Sequence, residues 1–147
     1  MAEYPDTYVA GFHDAASVSQ MTYRRVGKTD MVVSTLSFGA SSLGGVFRAT
    51  DDKESVQLVE TVVRQGINYI DTAPWYGQGR SEEVLGAALA EVPRGAYYLA
   101  TKVGRYDLET AGMFDFSAER VRRSVMESLA RLRLDYIDLI QVRERYE

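Results

Sequence analysis

The sequence predicts an α/β fold, namely the N-terminal half of a (β/α)8 TIM barrel: four parallel strands alternating with helices, preceded by a short β-hairpin. Strand-like runs begin near residues 35, 67, 96 and 136, and amphipathic helical segments separate them. A complete barrel takes about 250 residues, whereas this chain has 147. A doubly wound sheet uses the same elements, but residues 38–45 do not match its glycine-rich turn, G-x-G-x-x-G.

The first elements follow from local signals. Residues 1–20 lack steady apolar periodicity, so we expect a flexible N-terminal extension there. A partial barrel domain is expected over residues 21–147, truncated after its fourth strand. Two strand-like runs, 22–26 and 31–34, flank a stretch of turn residues and predict the hairpin. Residues 35–39 predict the first barrel strand, which ends in glycine.

Helix-capping signals place the three helices between the strands. The first helix is expected from Asp52 to Gln65, because Asp51 offers a capping carboxylate and Gly66 stands where a C-terminal cap belongs. Ser81 is the expected N-cap of the second helix, and Ser117 that of the third. The remaining strands are expected over residues 67–71, 96–101 and 136–142.

The third helix has two contrasting faces. Its inward face is apolar and consists of Val121, Val125, Leu129 and Leu132. Its outer face is basic and carries Arg120, Arg122, Arg123, Arg131 and Arg133. A phosphate-binding surface and a solvated helix face both fit this pattern, and the solvated face is the more common use of such charges.

Composition excludes several classes of function. The net charge of −4, from 17 Lys and Arg against 21 Asp and Glu, argues against binding to nucleic acid or to an anionic membrane. The sequence has no cysteine, which excludes disulfides, thiolate metal sites and cysteine nucleophiles. Because His13 is the only histidine, we expect neither a Ser-His-Asp triad nor a multi-histidine metal site. No apolar run reaches the roughly 20 residues of a membrane span, so we expect a cytoplasmic protein.

Three polar residues lie at or just beyond the ends of predicted barrel strands, where barrel chemistry is located. Asp71 ends the second strand, Tyr76 lies on the loop that follows, and Lys102 ends the third. A free tyrosine has a pKa of about 10, and a nearby ammonium group lowers it toward the range useful for proton transfer. These residues therefore fit a tyrosine acid tuned by a lysine that a carboxylate holds. They also fit a turn cap, a packed rim aromatic and a solvated strand end, and the spacing alone favours this structural interpretation.

Longer motifs favour the first interpretation. Residues 68–77 read NYIDTAPWYG and are followed by Ser81-Glu82 and Leu85-Gly86. Residues 100–106 read ATKVGRY, and residues 114–120 read FDFSAER ahead of LDYID at 134–138. Together these stretches resemble the aldo-keto reductases, most closely the sugar- and pyridoxal-dehydrogenase branch, and the resemblance runs collinearly from about Met21 to Val142.

The resemblance implies an oxidoreductase that transfers hydride between a nicotinamide cofactor and a carbonyl or alcohol carbon. It makes Tyr76 the proton donor or acceptor, Lys102 the residue that tunes its acidity, and Asp71 the residue that holds Lys102. The family has a catalytic histidine after the fourth strand, and Arg143 stands at that place. Arginine has a different shape, accepts no hydrogen bond and is always charged. We therefore expect this chain alone to be weak or inactive.

The resemblance also implies the ligands. NADP or NAD is the expected cofactor, with Gly39 and Ala40 left from its site and most of that site outside this chain. Trp75 is expected to contact a small carbonyl or sugar substrate. Without the family, Phe38-Gly39 fits a tight strand end and Trp75 a packed rim aromatic. The alternative function is a non-catalytic half-barrel that self-associates or pairs with a full-length relative, since open strand edges favour association.

Overall fold

The computed structural model describes residues 4–110 and 112–142. Its main sheet has four parallel strands in the order β3-β4-β5-β6, and a separate antiparallel hairpin pairs β1 with β2. The strands are β1 Tyr23–Arg25, β2 Val32–Ser34, β3 Phe38–Gly39, β4 Tyr69–Asp71, β5 Tyr98–Val103 and β6 Leu139–Val142. The helices are α1 Ala15–Gln20, α2 Asp52–Arg64, α3 Arg80–Ala88 and α4 Ala118–Leu132. The four strands of the main sheet lie in the order in which they occur along the chain, and helices connect them. The predicted half-barrel and its hairpin are therefore confirmed.

The N-terminal segment, residues 4–20, packs against the domain, whereas the sequence predicts a flexible extension over residues 1–20; its flexibility stays a prediction. Phe12 and Val18 are buried, and Phe12 belongs to the main hydrophobic core. Arg64, at the end of α2, donates a 2.7 Å hydrogen bond to the Phe12 carbonyl and lies over the Phe12 ring. The amide of Asn68 donates to the Thr7 hydroxyl at 2.9 Å. The segment therefore covers the end of the sheet at which β4 begins, although its sequence has no helical or strand period.

Replacing Phe12 by alanine should lower the free energy of unfolding by about 3 kcal/mol, as expected for a buried aromatic ring. The segment should also become an early target of limited proteolysis, because its main anchor is lost. Urea denaturation measures the first effect and mass spectrometry of the fragments the second. Phe47→Ala is the matched control, since that ring is 79% exposed. Equal losses in the two variants would contradict the docking of this segment.

Helix capping agrees with the sequence at two of three positions. Asp51 accepts hydrogen bonds from two first-turn amides of α2, and Ser117 accepts one from α4. The N-cap of α3 is Gly79, with φ of 94°, so the prediction that Ser81 caps this helix is wrong. Ser81 is fully buried, its hydroxyl donates to the Ala40 carbonyl at 2.7 Å, and it lies 3.0 Å from the Thr72 hydroxyl. It therefore joins α3 to the ends of β3 and β4.

Helix α4 packs closely against α3, and its buried face differs from the one expected. Ser124, Ser128 and Leu132 are buried, whereas Val121, Val125 and Leu129 are only half-buried. Small serines occupy the contact, and a Cβ added at Gly86 of α3 would collide with the Arg131 carbonyl. Arg131, which the sequence placed on the basic outer face, instead forms an ion pair with the buried Glu82 at 2.8 Å. Helices α3 and α4 thus meet through small side chains and one ion pair.

Within residues 4–110 and 112–142, no helix combines the length and the apolar character that a membrane crossing requires.

Candidate active site

The carboxyl ends of the four parallel strands form one edge of the sheet. Gly39 of β3 lies opposite Asp71 of β4 in the strand register. Asp71 lies opposite Ala100 of β5, and two residues further along β5 Lys102 lies opposite Gln141 of β6. Because side chains alternate along a strand, Ala100 and Lys102 share one face of the sheet. The register therefore brings Asp71, Lys102 and Gln141 to one face at this edge.

Lys102 is the centre of this arrangement. Its ammonium group forms an ion pair with Oδ1 of Asp71 and donates a 3.0 Å hydrogen bond to the Thr72 carbonyl. It also lies 5.0 Å from the centre of the Tyr76 ring. The Lys102 side chain is only 14% exposed, so water screens this charge weakly. The structure thus brings together Asp71, Tyr76 and Lys102.

The loop that carries Tyr76 is held by a close contact between two glycines. Gly77 has φ of 63°, and a Cβ added there would overlap the Gly44 carbonyl. In return, a Cβ added at Gly44 would lie 2.6 Å from the Tyr76 carbonyl oxygen. The Tyr76 backbone is further fixed by hydrogen bonds to Ala73 at 3.1 Å and from Ser81 at 3.2 Å. Backbone contacts therefore hold the loop that carries Tyr76.

Gly77→Ala should lower the free energy of unfolding by at least about 1–2 kcal/mol, because an L side chain is strained at positive φ. The overlap with Gly44 should also displace Tyr76, which changes the chemical shifts of the Tyr76 ring. Gly95→Ala is the control, since a Cβ there meets nothing within 4 Å. Urea denaturation and NMR of tyrosine-labelled protein measure both effects. A Gly77→Ala variant that behaves like Gly95→Ala would contradict the two-glycine contact.

Gln141 is a member of this network that the sequence did not single out. Its side-chain amide donates to Oδ2 of Asp71 at 2.8 Å and to the Tyr69 hydroxyl at 3.3 Å. Burial and the negative charge of Asp71 raise the pKa of Tyr69, and the hydrogen bond from Gln141 partly offsets this. The sequence did contain a signal, because Gln141 is a polar residue near the end of β6, just as Asp71 is in β4 and Lys102 in β5.

The residues expected to contact ligands have different surroundings. Gly39 is exposed, and a Cβ added there would meet nothing within 4 Å, so space is open beside Asp71. Ala40 is fully buried and its carbonyl accepts the hydrogen bond from Ser81, so its expected contact with a cofactor is not supported. Trp75 is half-buried, and the Arg105 guanidinium stacks 3.8 Å above its ring.

The loop after β5 lies beside Trp75. Arg105 forms an isolated antiparallel bridge with Phe114, and its guanidinium lies 6.0 Å from the centre of the Phe114 ring. Arg120 of α4 lies 3.7 Å above Tyr106 and pairs with Glu127, so it is not part of a free basic surface. Arg143, at the place of the family histidine, lies outside the described residues.

Comparison with known proteins decides the family. The model of the aldo/keto reductase family matches residues 35–144. This chain belongs to the aldo/keto reductase family. L-Galactose dehydrogenase from Arabidopsis thaliana is 46% identical over 125 residues, which cover 84% of this chain and 38% of that protein.

Solved structures of the same family share the fold. The holo form of an aldo-keto reductase from Bacillus halodurans superposes with a TM-score of 0.72 at 40% identity, covering 84% of this chain and 40% of that one. An aldo-keto reductase from Klebsiella pneumoniae in complex with NADPH gives a TM-score of 0.63 at 26% identity, covering 79% of this chain and 37% of that one. The chain thus spans about two fifths of the length of these relatives.

Proposed function

We propose that this chain contributes the proton-transfer residues of an NAD(P)-dependent oxidoreductase that interconverts a carbonyl and an alcohol on a small sugar- or aldehyde-like substrate. The observation that carries the proposal is the position of the Lys102 ammonium, which pairs with Asp71 and lies 5.0 Å from the centre of the Tyr76 ring. Membership of the aldo/keto reductase family supports it. The name of the Arabidopsis relative supports a sugar as the substrate class.

Each residue has one role in the proposed chemistry. The Tyr76 hydroxyl gives a proton to the substrate oxygen in reduction and takes it back in oxidation. The Lys102 ammonium favours the phenolate that remains, because an opposite charge nearby stabilises an anion. Asp71 keeps Lys102 in place through the ion pair. These roles need no metal ion and no covalent intermediate.

The nicotinamide ring, when bound, supplies or accepts the hydride at the substrate carbon. The residues present fit such a ring on one side, since Gly39 leaves open space beside Asp71 and Trp75 lies on the loop before Tyr76. We propose Gly39 and Trp75 as the parts of this chain that contact the nicotinamide end and the substrate. The choice between NADP and NAD depends on contacts to the far end of the cofactor, away from the reacting ring.

A second candidate function is a non-catalytic half-barrel that associates with another copy or with a full-length relative. In the described part of the chain, β6 pairs with β5 alone, so its other edge is unpaired. Apolar side chains on and near this strand are also exposed: Tyr136 is 50% exposed and Val142 is 64% exposed. An unpaired edge with apolar neighbours favours association through strand pairing.

One comparison separates the two candidates. Residues 1–142 are joined to the C-terminal part of the Arabidopsis relative that follows the matched region, and sugar oxidation with NADP or NAD is measured. Turnover that Tyr76→Phe abolishes supports the oxidoreductase. No turnover by the folded chimera, together with a stable dimer of the 147-residue chain in size-exclusion chromatography, supports the associating half-barrel and contradicts our first proposal.

A further inference from the structure

Gln141 reaches across the sheet to a carboxylate two strands away. It lies on β6, while both of its hydrogen-bond partners, Asp71 and Tyr69, lie on β4. The strand between them presents Ala100, which pairs with Asp71 on one side and with Leu139 on the other. A methyl group leaves room for a long side chain to cross above it. The Gln141 amide can therefore join β6 directly to β4.

The two oxygens of Asp71 have different partners. Oδ1 pairs with the Lys102 ammonium, and Oδ2 accepts the Gln141 amide at 2.8 Å. A carboxylate only accepts hydrogen bonds, so the amide must present its nitrogen to Asp71. That nitrogen is a neutral donor, which satisfies Oδ2 without competing with Lys102 for the negative charge. With both oxygens bound, the carboxylate cannot rotate freely.

We propose that Gln141 is a positioning residue that fixes the Asp71 carboxylate and thereby holds the Lys102 ammonium beside Tyr76. This inference rests on the proposed function for its meaning in catalysis, whereas its geometry does not depend on any cofactor. The Lys102 ammonium has the Thr72 carbonyl as its other hydrogen-bond acceptor, at 3.0 Å. Loss of the fixed carboxylate should therefore loosen Lys102 without detaching it from the sheet.

The reactivity of the lysines tests the proposal without substrate or cofactor. The chain has three lysines, Lys28, Lys53 and Lys102, so each gives its own signal after reductive methylation with labelled formaldehyde. Lys28 and Lys53 are exposed and serve as internal references in the same sample. Only the unprotonated amine reacts, so an ammonium group held by a carboxylate is modified slowly. The measured quantity is the rate at Lys102 divided by the rate at Lys28.

Two variants that remove both donors should raise this ratio. Gln141→Met keeps a side chain of similar length, and we expect the ratio to rise about threefold to tenfold, which corresponds to about 0.7–1.4 kcal/mol. Gln141→Leu removes the same donors with a side chain of different shape, and we expect a rise of the same size. Gln57→Met, an exposed position on α2, should leave the ratio unchanged.

Two results would overturn the proposal: an unchanged ratio in a folded Gln141 variant, or equal acceleration at all three lysines. The second is the sign of a merely structural role. If Gln141→Met does not fold, Gln141→Leu decides alone, since a rise confined to Lys102 supports the proposal and any other result contradicts it. A failure of turnover in the chimera leaves the ratio intact, so it contradicts the proposed function and not the positioning role.

Discussion

Replacing Arg131 by methionine should lower the free energy of unfolding by about 3–5 kcal/mol, the loss expected when one partner of a buried ion pair is removed. Glu82 is fully buried, and its carboxylate accepts from Arg131 at 2.8 Å and from Thr101 at 2.7 Å. Without Arg131 the negative charge would remain in the protein interior between α3, α4 and β5. Urea denaturation of the purified variant measures the loss.

Arg123→Met is the matched control, because this arginine is 59% exposed and its distance to Glu127 is 3.7 Å. A pair of this kind contributes at most about 1 kcal/mol. The double variant Glu82→Gln, Arg131→Met should recover part of the stability, since a neutral amide needs no counter-charge. If Arg131→Met is no less stable than Arg123→Met, the ion pair does not join the two helices as described.

The 147-residue polypeptide by itself should turn over carbonyl or sugar substrates at least about 10³-fold more slowly than a chimera that completes the site. The chimera joins residues 1–142 to the C-terminal part of the Arabidopsis relative that follows the matched region. Correct positioning of two reactants contributes about 7–11 kcal/mol to catalysis. We expect the four strands to supply the proposed proton-transfer residues but few contacts that hold a dinucleotide. Steady-state kinetics with NADPH and NADH measure the difference.

Arg143→His in the 147-residue polypeptide is the informative comparison. We expect it to recover little activity, because it restores the family histidine but none of the cofactor contacts. The opposite outcome is rapid turnover by the unmodified polypeptide that Tyr76→Phe abolishes. That outcome would make four strands and their helices a sufficient reductase and would contradict our expectation.

Elements whose signals lie within a few residues could be predicted from the sequence. Asp51 and Ser117 cap their helices as expected, because a capping side chain needs only the first turn of its own helix. The placement of Asp71 and Lys102 at one edge also follows from local reasoning, since successive parallel strands end on the same side of a sheet. The half-barrel and the proximity of these two residues could therefore be predicted from the sequence alone.

Features that depend on distant partners could not be predicted. Ser81 and Glu82 have the composition of an exposed helix start, yet both are buried. Their partners, Ala40 and Arg131, lie far away in the sequence, so no local pattern indicates these contacts. Phe12 is an isolated aromatic residue in a segment without periodicity, and its burial depends on a hydrogen bond and ring contact with Arg64. Tertiary contacts override local propensity at these positions.

The comparison of Tyr76→Phe with unmodified protein in the chimera tests the central claim most directly, namely that Asp71, Lys102 and Tyr76 form a proton-transfer site. The substitution removes one hydroxyl group and leaves the ring beside Lys102. Tyr4→Phe is the control, because Tyr4 stacks on Tyr8 in the N-terminal segment. We predict that Tyr76→Phe lowers kcat for sugar oxidation by about 10²–10⁴-fold, the usual contribution of a general acid or base. A kcat for Tyr76→Phe within a few-fold of that for Tyr4→Phe would contradict the account.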